Sequence, residues 1–415
     1  MISLAAARAL IAEHVIPGAP VTDSLSDSFG RVLRQDVRAR EDFPPFDRSA
    51  MDGYAVRTDD DSEKFRIIGE IQPGGGGKLK IKRGECARIF TGAALPAGAG
   101  KVLMQENVQV QGDGMVPLRK DSATHIRYRG EDARKGAVLL KAGSKLGAGE
   151  LSLLASLGVT QPRISPRIRV AHFATGNELV APDAKPKPGQ IRDSNSTLVA
   201  AFVRQFGGEL VRQERVVDDF DLLLKQVRGD VPKSRSSRRK EALTKVPAQT
   251  DYDLLLLSGG ASVGDYDFGK RLLTELGFET HFTAISLRPG KPLVFATRGK
   301  KAAFILPGNP VSHFVTLHVA VRLALEKFVG TACTDWALPR VQLAENFESK
   351  PGERETYWPA KVRIQNGGLV AHPLRWQSSG DVTALAGANA LLQLPAGATP
   401  PQVGEDVSVL LLEVP

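Results

Sequence analysis

Acids, small residues and cations cluster in a few short stretches of this chain. LSGGASVGDYD (257–267) follows the apolar run DLLLL and ends on Asp265 and Asp267. TGNE (175–178) ends on Glu178, Asp218 and Asp219 are adjacent, RPGKP (288–292) carries Arg288 and Lys291, and LPGNPVS (306–312) ends on Ser312. Backbone N–H groups at Gly259, Gly260 and Ser262, beside a helix start, suit an oxyanion. Arg288 and Lys291 suit a phosphate or another oxyanion, the arginine through its planar fork. Glu178, Asp218, Asp265 and Asp267 would repel the same phosphates unless a cation intervened. Oxygen ligands without Cys or His point to Mg²⁺, which takes one or two carboxylates and completes its shell with substrate phosphate oxygens and water. Each acid has a plainer reading as a helix cap or first-turn charge worth about 1 kcal/mol. Asp218 and Asp219 each fit that reading well taken alone, and Asp265 stays open between the two.

These stretches need elements to bring them together. From about 167 to 330 the chain alternates apolar strands with amphipathic helices: RIRVAHFAT, DSNSTLVAAFVRQFGG, ELVRQERVV, DDFDLLLKQV, DYDLLLLSGG, YDFGKRLLTELG, AAFILPGNP and VSHFVTLHVAVRLALEKFVG. Buried strands with crossover helices predict a doubly wound parallel sheet, which binds ligands at the carboxyl ends of its strands. The acid and glycine stretches fall at those ends. Residues 47–130 and 331–415 have short β-like runs and turns, predicting a small antiparallel β domain and a second β domain. Residues 1–46 and 131–166 predict an elongated N-terminal and linker domain. Its first element, MISLAAARALIAEHV, reads as an amphipathic helix rather than a signal peptide, because Arg8, Glu13 and His14 interrupt the apolar stretch. GGGGK (74–78) lacks the Ser or Thr of a P-loop and is expected to be a flexible hairpin.

Composition narrows the function classes. Of the net charge of +9, the segment 231–250 alone carries +5, from six Lys/Arg against one acid. A basic loop of that kind reads as a solvated insertion and argues against nucleic-acid binding. Two cysteines, Cys86 and Cys333, without paired spacing, argue against a disulfide framework or a zinc site and fit a reducing compartment. The seven histidines are scattered and read as packed or surface residues; His313 and His318, five apart, do not share a helical face. No apolar stretch is long enough to span a bilayer, so a cytoplasmic location is expected.

Taken as a set and in order, the motifs resemble the molybdopterin molybdenumtransferase family, the MoeA-type enzymes related to the E domain of gephyrin. The resemblance is carried by SAMDGYAVR (49–57), RIFTGAALP (88–96), RYRGED (127–132), ATGNEL (174–179), GQIRDSN (189–195), SGGASVG (258–264), RPGKP (288–292), LPGNPVS (306–312) and SSGDVTALAGANALLQLP (378–395). It implies a four-part protomer in which 167–330 is the α/β molybdopterin-binding domain and 331–415 is barrel-like. It implies insertion of molybdenum from molybdate into adenylylated molybdopterin, with Mg²⁺-dependent release of AMP. It implies a homodimer whose site is shared between subunits, no membrane, and contact with the protein that adenylylates molybdopterin. By motif match, Asp52 and Thr91 would face the cleft from the partner, with Arg127 and Asp132 supporting it. Glu178, Asp218 and Asp267 would bind Mg²⁺ or the pterin nucleotide. Arg288, Lys291, Ser312, Arg354 and Ser378 or Ser379 would handle phosphate and molybdate. Asp52, Thr91, Asp267 and Lys291 would be catalytic. The chain departs from the family's pattern at Asn177, Gly100, Ala284 and Pro359, and in the 231–250 insertion. A non-catalytic pterin- or nucleotide-binding scaffold, and a nucleotide amidase or pyrophosphatase on the same fold, are the competing readings.

Overall fold

The computed structural model describes residues 1–75, 79–119, 121–229, 251–259, 266–331, 338–346 and 352–412, with 266–268 described in backbone only. The Gly260, Ser262 and Asp265 expectations, Cys333 and the basic segment 231–250 lie outside these residues, and Asp267 is among those described in backbone only. The chain divides into two compact units, one made of 1–34, 143–148 and 161–415, the other of 35–142 and 149–160.

The run DLLLL explains the centre of the larger unit. Successive strand residues point to opposite faces, so a strand apolar at every position must be covered on both. Leu254–Ser258 is the third strand in a six-stranded sheet ordered Glu209–Val216, Arg169–Thr175, Leu254–Ser258, Lys301–Leu306, Val294–Arg298, Glu279–Phe282. Leu254 and Leu256 join Val170, Phe304 and Leu306 in one core, against the helices Leu4–His14 and Asn195–Gln205 and the helical run 310–329. Leu255 and Leu257 join Phe173, Ala303 and Ile305 in the other, against Leu223 and Val227 of Phe220–Arg228 and Leu272 and Leu273 of Tyr266–Glu275. All four leucines are buried, each stabilising the fold by about 1.5–3 kcal/mol. The first four strands in that order are parallel, as expected; Val294–Arg298 runs antiparallel to both its neighbours, forming a hairpin with Lys301–Leu306.

The helices carry their sequence signals. Ser3 accepts from the Ala6 N–H at 3.1 Å, and Leu4, Ala7 and Ile11 form the buried stripe of the first helix. Asp219 accepts from the Leu222 N–H at 2.8 Å and caps Phe220–Arg228, while Gly229 ends that helix in the left-handed conformation. The long C-terminal helical run is interrupted by a π-turn at Leu317–Val321.

Beyond the parallel sheet, Arg340–Leu343, Glu355–Gln365, Gly368–Pro373, Ala390–Leu394 and Asp406–Leu411 pair in a ring that closes where Glu355–Gln365 meets Ala390–Leu394. Closure leaves this five-stranded barrel no free edge. Its interior holds Val341, Leu343, Val362, Leu392, Leu394 and Val409.

The smaller unit is built on a six-stranded sheet ordered Lys101–Met104, Gly53–Val56, Glu85–Ile89, Phe65–Ile71, Gly114–Pro117, Val108–Gln111. Its strands pair antiparallel except for Phe65–Ile71 with Glu85–Ile89, which are parallel. The strands on either side of the glycine run are therefore parallel neighbours and not the two arms of a hairpin, while residues 76–78 of the run itself lie outside the described residues.

Candidate functional site

The strand order sets the place. Arg169–Thr175 pairs with the next strand of the α/β region, Glu209–Val216, on one side and with the following one, Leu254–Ser258, on the other. The connections leave in opposite directions, opening a crevice beyond the carboxyl ends of the two central strands. A cleft of about 1080 Å³ lies there, ample for a nucleotide-sized ligand.

Gly259 shapes its floor. At φ +95° it adopts a conformation that side-chain-bearing residues avoid, and a Cβ there would stand 2.3 Å from the Thr175 carbonyl oxygen. Its N–H is directed at the Leu306 carbonyl, 3.4 Å away, so Gly259 contributes close approach rather than a free donor. Gly290 plays a similar part in the RPGKP turn, at φ +115° with Thr316 Cγ2 2.7 Å from the position of a Cβ. The turn is tied to the barrel: Leu287–Arg288 pairs in parallel with Glu355 and Thr356, and Arg354 Nη1 donates to the Leu287 carbonyl at 3.1 Å.

Nine of the expected site residues line this one cleft: Glu178, Asp218, Gly259, Arg288, Lys291, Ser312, Arg354, Ser378 and Ser379. Asn177 takes a structural part: its N–H donates to Asp218 Oδ2 at 3.3 Å and its Oδ1 accepts from the Asp218 N–H at 3.2 Å. This pair of bonds holds the two acidic segments side by side. Asp218 is thus a wall residue, and the cap is Asp219. On the opposite wall, Asn309 Nδ2 donates to Ser379 Oγ at 2.9 Å, the Val311 N–H donates to the Ser379 carbonyl at 2.9 Å, and Asn195 Nδ2 donates to the Gly308 carbonyl at 2.7 Å. Asp267 stands in the first turn of Tyr266–Glu275, just beyond the glycine stretch.

Asp52, Thr91, Arg127 and Asp132 belong to the smaller unit and gather there around one strand pair. Arg48–Ser49 pairs with Ile126–Arg127, and the Gly92 N–H donates to the Ser49 carbonyl at 2.8 Å. Asp52 Oδ1 accepts from both the N–H and the hydroxyl of Thr91, each at 2.7 Å. The Thr91 N–H, then its hydroxyl, hold the Asp52 carboxyl below the usual carboxylate range. Arg127 bridges Asp132 at 2.7 Å and Glu131 at 3.2 Å.

Some wall residues escaped the sequence reading. Trp358 and Trp376 pack edge to face at 4.6 Å, with the Arg288 guanidinium 5.9 Å from the Trp376 ring. They give the cleft an aromatic surface; the signal was a tryptophan two positions before SSG. His172, in the strand before TGNE, is buried, and burial pushes it down to about 3. His313 and His318 are also buried, pushed down to about 4 and about 3 by burial, in keeping with packed histidines.

The donor set suits a hard divalent cation. Glu178 and Asp218 share the cleft wall, and its described lining holds neither Cys nor His. Among the described residues no group of three or more His, Cys, Asp or Glu could hold a metal. A protein offering few carboxylates is what Mg²⁺ uses when substrate phosphates complete its shell.

Comparison with known proteins decides the family. The chain is 35% identical over 398 residues, covering 93% of it and 87% of the relative, to a molybdopterin molybdenumtransferase of Nostoc sp.. The chain belongs to the molybdopterin molybdenumtransferase family. Its counterpart in Bacillus subtilis is 32% identical, covering 94% of this chain and 89% of that one. Three family models match in order: the MoeA N-terminal region (domain I and II) at 2–158, the probable molybdopterin binding domain at 171–327, and the MoeA C-terminal region (domain IV) at 340–412. The crystal structure of the molybdopterin biosynthesis MoeA protein of Pyrococcus horikoshii superposes with TM-score 0.79 at 27% identity, covering 100% of both chains. The fold is therefore the MoeA-like multidomain fold, as the sequence motifs implied. No helix among the described residues is long and apolar enough to cross a membrane.

Proposed function

We propose that this transferase of molybdenum cofactor biosynthesis inserts molybdenum from molybdate into adenylylated molybdopterin, releasing AMP with the help of Mg²⁺. The observation that carries the reading is one cleft holding carboxylates Glu178 and Asp218 together with cations Arg288, Lys291 and Arg354 at the switch point of the sheet. Its curated relatives named molybdopterin molybdenumtransferase do not favour a scaffold, an amidase or a pyrophosphatase.

Glu178 and Asp218, with Asp267 from the following helix, would hold Mg²⁺. Bound there, the ion would neutralise charge on the phosphoanhydride. Arg288 and Lys291 would bind phosphate oxygens, and Trp376 offers a face on which a flat heterocycle stacks. Molybdate is a tetrahedral dianion; Arg354, Lys291, Ser312 and Ser378 or Ser379 supply the charge-assisted and hydroxyl donors it needs. Catalysis would consist mainly of positioning and charge neutralisation. Asp52 is held ionised by Thr91, with Arg127 and Asp132 nearby in the same motif set; we assign this group to the cleft of a second copy, making the working form a homodimer. A cytoplasmic location and delivery of substrate by the adenylylating protein complete the proposal. Incubation with adenylylated molybdopterin, molybdate and Mg²⁺ tests it: AMP should be released, and no release would remove the reading.

A further inference from the structure

We propose that His172 is a positioning residue that fixes the Ser258 hydroxyl as a hydrogen-bond donor to a substrate oxygen at the switch point. The inference rests on the preceding reading that the cleft takes a phosphate-bearing pterin nucleotide.

Strand parity brings the partners together. His172 pairs in register with Gln213 on one neighbouring strand and with Leu256 on the other, two residues before Ser258. His172 Nε2 lies 2.6 Å from Ser258 Oγ, and His172 Nδ1 lies 3.0 Å from Gln213 Nε2. Gln213 Nε2 also donates to the Ser196 carbonyl at 2.8 Å.

That last contact fixes every proton. A carbonyl oxygen only accepts, so the Gln213 atom facing Ser196 is the NH₂ group. Its second hydrogen is then available to His172 Nδ1, which must accept it. The imidazole proton therefore sits on Nε2 and is donated to Ser258 Oγ. An imidazolium would turn an N–H against the amide hydrogens, and burial independently favours the neutral ring. With its lone pair engaged by His172, Ser258 keeps its own hydrogen to donate. Among the described residues no acceptor takes that hydrogen. Ser258 lines the cleft at the end of its strand, beside Gly259 and Thr175. Phosphate or phosphoanhydride oxygens, which only accept, are the substrate atoms this arrangement fits. His313, the nearby titratable neighbour, takes no part: its Nδ1 donates to the Pro307 carbonyl at 3.0 Å.

The experiment is steady-state AMP release from adenylylated molybdopterin by the full chain, with thermal melts as a folding control. Ser258→Ala should raise KM roughly tenfold or more, the range of a hydrogen bond to a charged group, with kcat little changed. His172→Phe should raise KM in the wild-type background and add nothing in the Ser258→Ala background, because His172 acts only through that hydroxyl. His172→Gln, which keeps an N–H near the Nε2 position, should recover part of the loss. Gln213→Ala, at an exposed position on the edge strand, gives the same non-additivity test should His172→Phe fail to fold. A wild-type KM for Ser258→Ala, or additive effects of His172→Phe or Gln213→Ala with Ser258→Ala, would overturn the inference alone. Absence of AMP release by the unsubstituted chain would instead remove the functional reading on which it rests.

Discussion

Replacing Gly259 by alanine should damage the cleft far more than the loss of one hydrogen atom suggests. The new methyl carbon would lie 2.3 Å from the Thr175 carbonyl oxygen and 2.9 Å from Thr175 Oγ1. Ordinary contact begins near 3.4 Å, so one strand end must retreat by roughly 1 Å. The obstacle is backbone in the middle of a parallel sheet, which cannot swing aside as a flexible side chain would. The residue would also be held at φ +95°. Strain of this kind costs about 1–3 kcal/mol. Displacement of a reacting group by about 1 Å costs up to about a hundredfold in rate. Denaturant titration and the kcat/KM of AMP release measure the two effects separately. Gly308→Ala is the control: its Cβ would meet nothing closer than Gly259 Cα at 3.8 Å, and its φ is ordinary. Both properties should stay near wild type there. Wild-type stability and activity in Gly259→Ala, or equal damage in Gly308→Ala, would refute the reasoning.

Further outcomes follow from the same geometry. The buried histidines His172, His313 and His318 stay neutral in the fold, with values near 3, 4 and 3, while in the unfolded chain they take up protons below about 6.5. Their stability contribution is therefore intact above pH 6.5 and lost as pH falls toward 4, by about 2 kcal/mol each by pH 5. Denaturation at pH 7 and pH 5 should register that fall, and His318→Phe should reduce it by about a third; a pH-independent stability over this window would contradict the burial. Asp218→Asn should move the Mg²⁺ titration of AMP release to higher concentration while leaving the melting temperature near wild type; an unmoved titration would remove Asp218 from the metal set. Asp52→Ala and Lys291→Ala, each inactive alone, should regain part of the activity when subunits are mixed and exchanged. No recovery would argue against a site shared between copies.

Much of the architecture was legible because local patterns matched global burial. DLLLL between turn residues read as a strand covered on both faces, and Asp219 just before an amphipathic helix fitted a cap, as Asp218 did until the structure placed it in the cleft wall. The cleft was legible for the same reason: TGNE, SGG, RPGKP and LPGNP fall where strands end, and parallel strands end together. What was not legible depended on partners remote in sequence. The antiparallel course of Val294–Arg298 follows from a tight turn at 299–300 rather than from its own residues. The parallel pairing of Phe65–Ile71 with Glu85–Ile89 runs against the hairpin that the glycine run suggested, because register is set by packing and not by glycine content. His172 read as an ordinary packed histidine, since nothing within its strand announces Gln213 on one side and Ser258 on the other. Trp376 and Trp358 lie 18 residues apart in sequence, and only the barrel brings their rings together beside Arg288.

The central claim is that AMP release and metal insertion are one event in this cleft. Adenylylated molybdopterin, molybdate and Mg²⁺ would be incubated with the protein, with AMP and pterin-bound molybdenum quantified in the same sample over time. Equal amounts of the two products at every time point are expected, with both lost in Lys291→Ala. AMP released without molybdenum incorporation, or molybdenum incorporated without AMP, would contradict it.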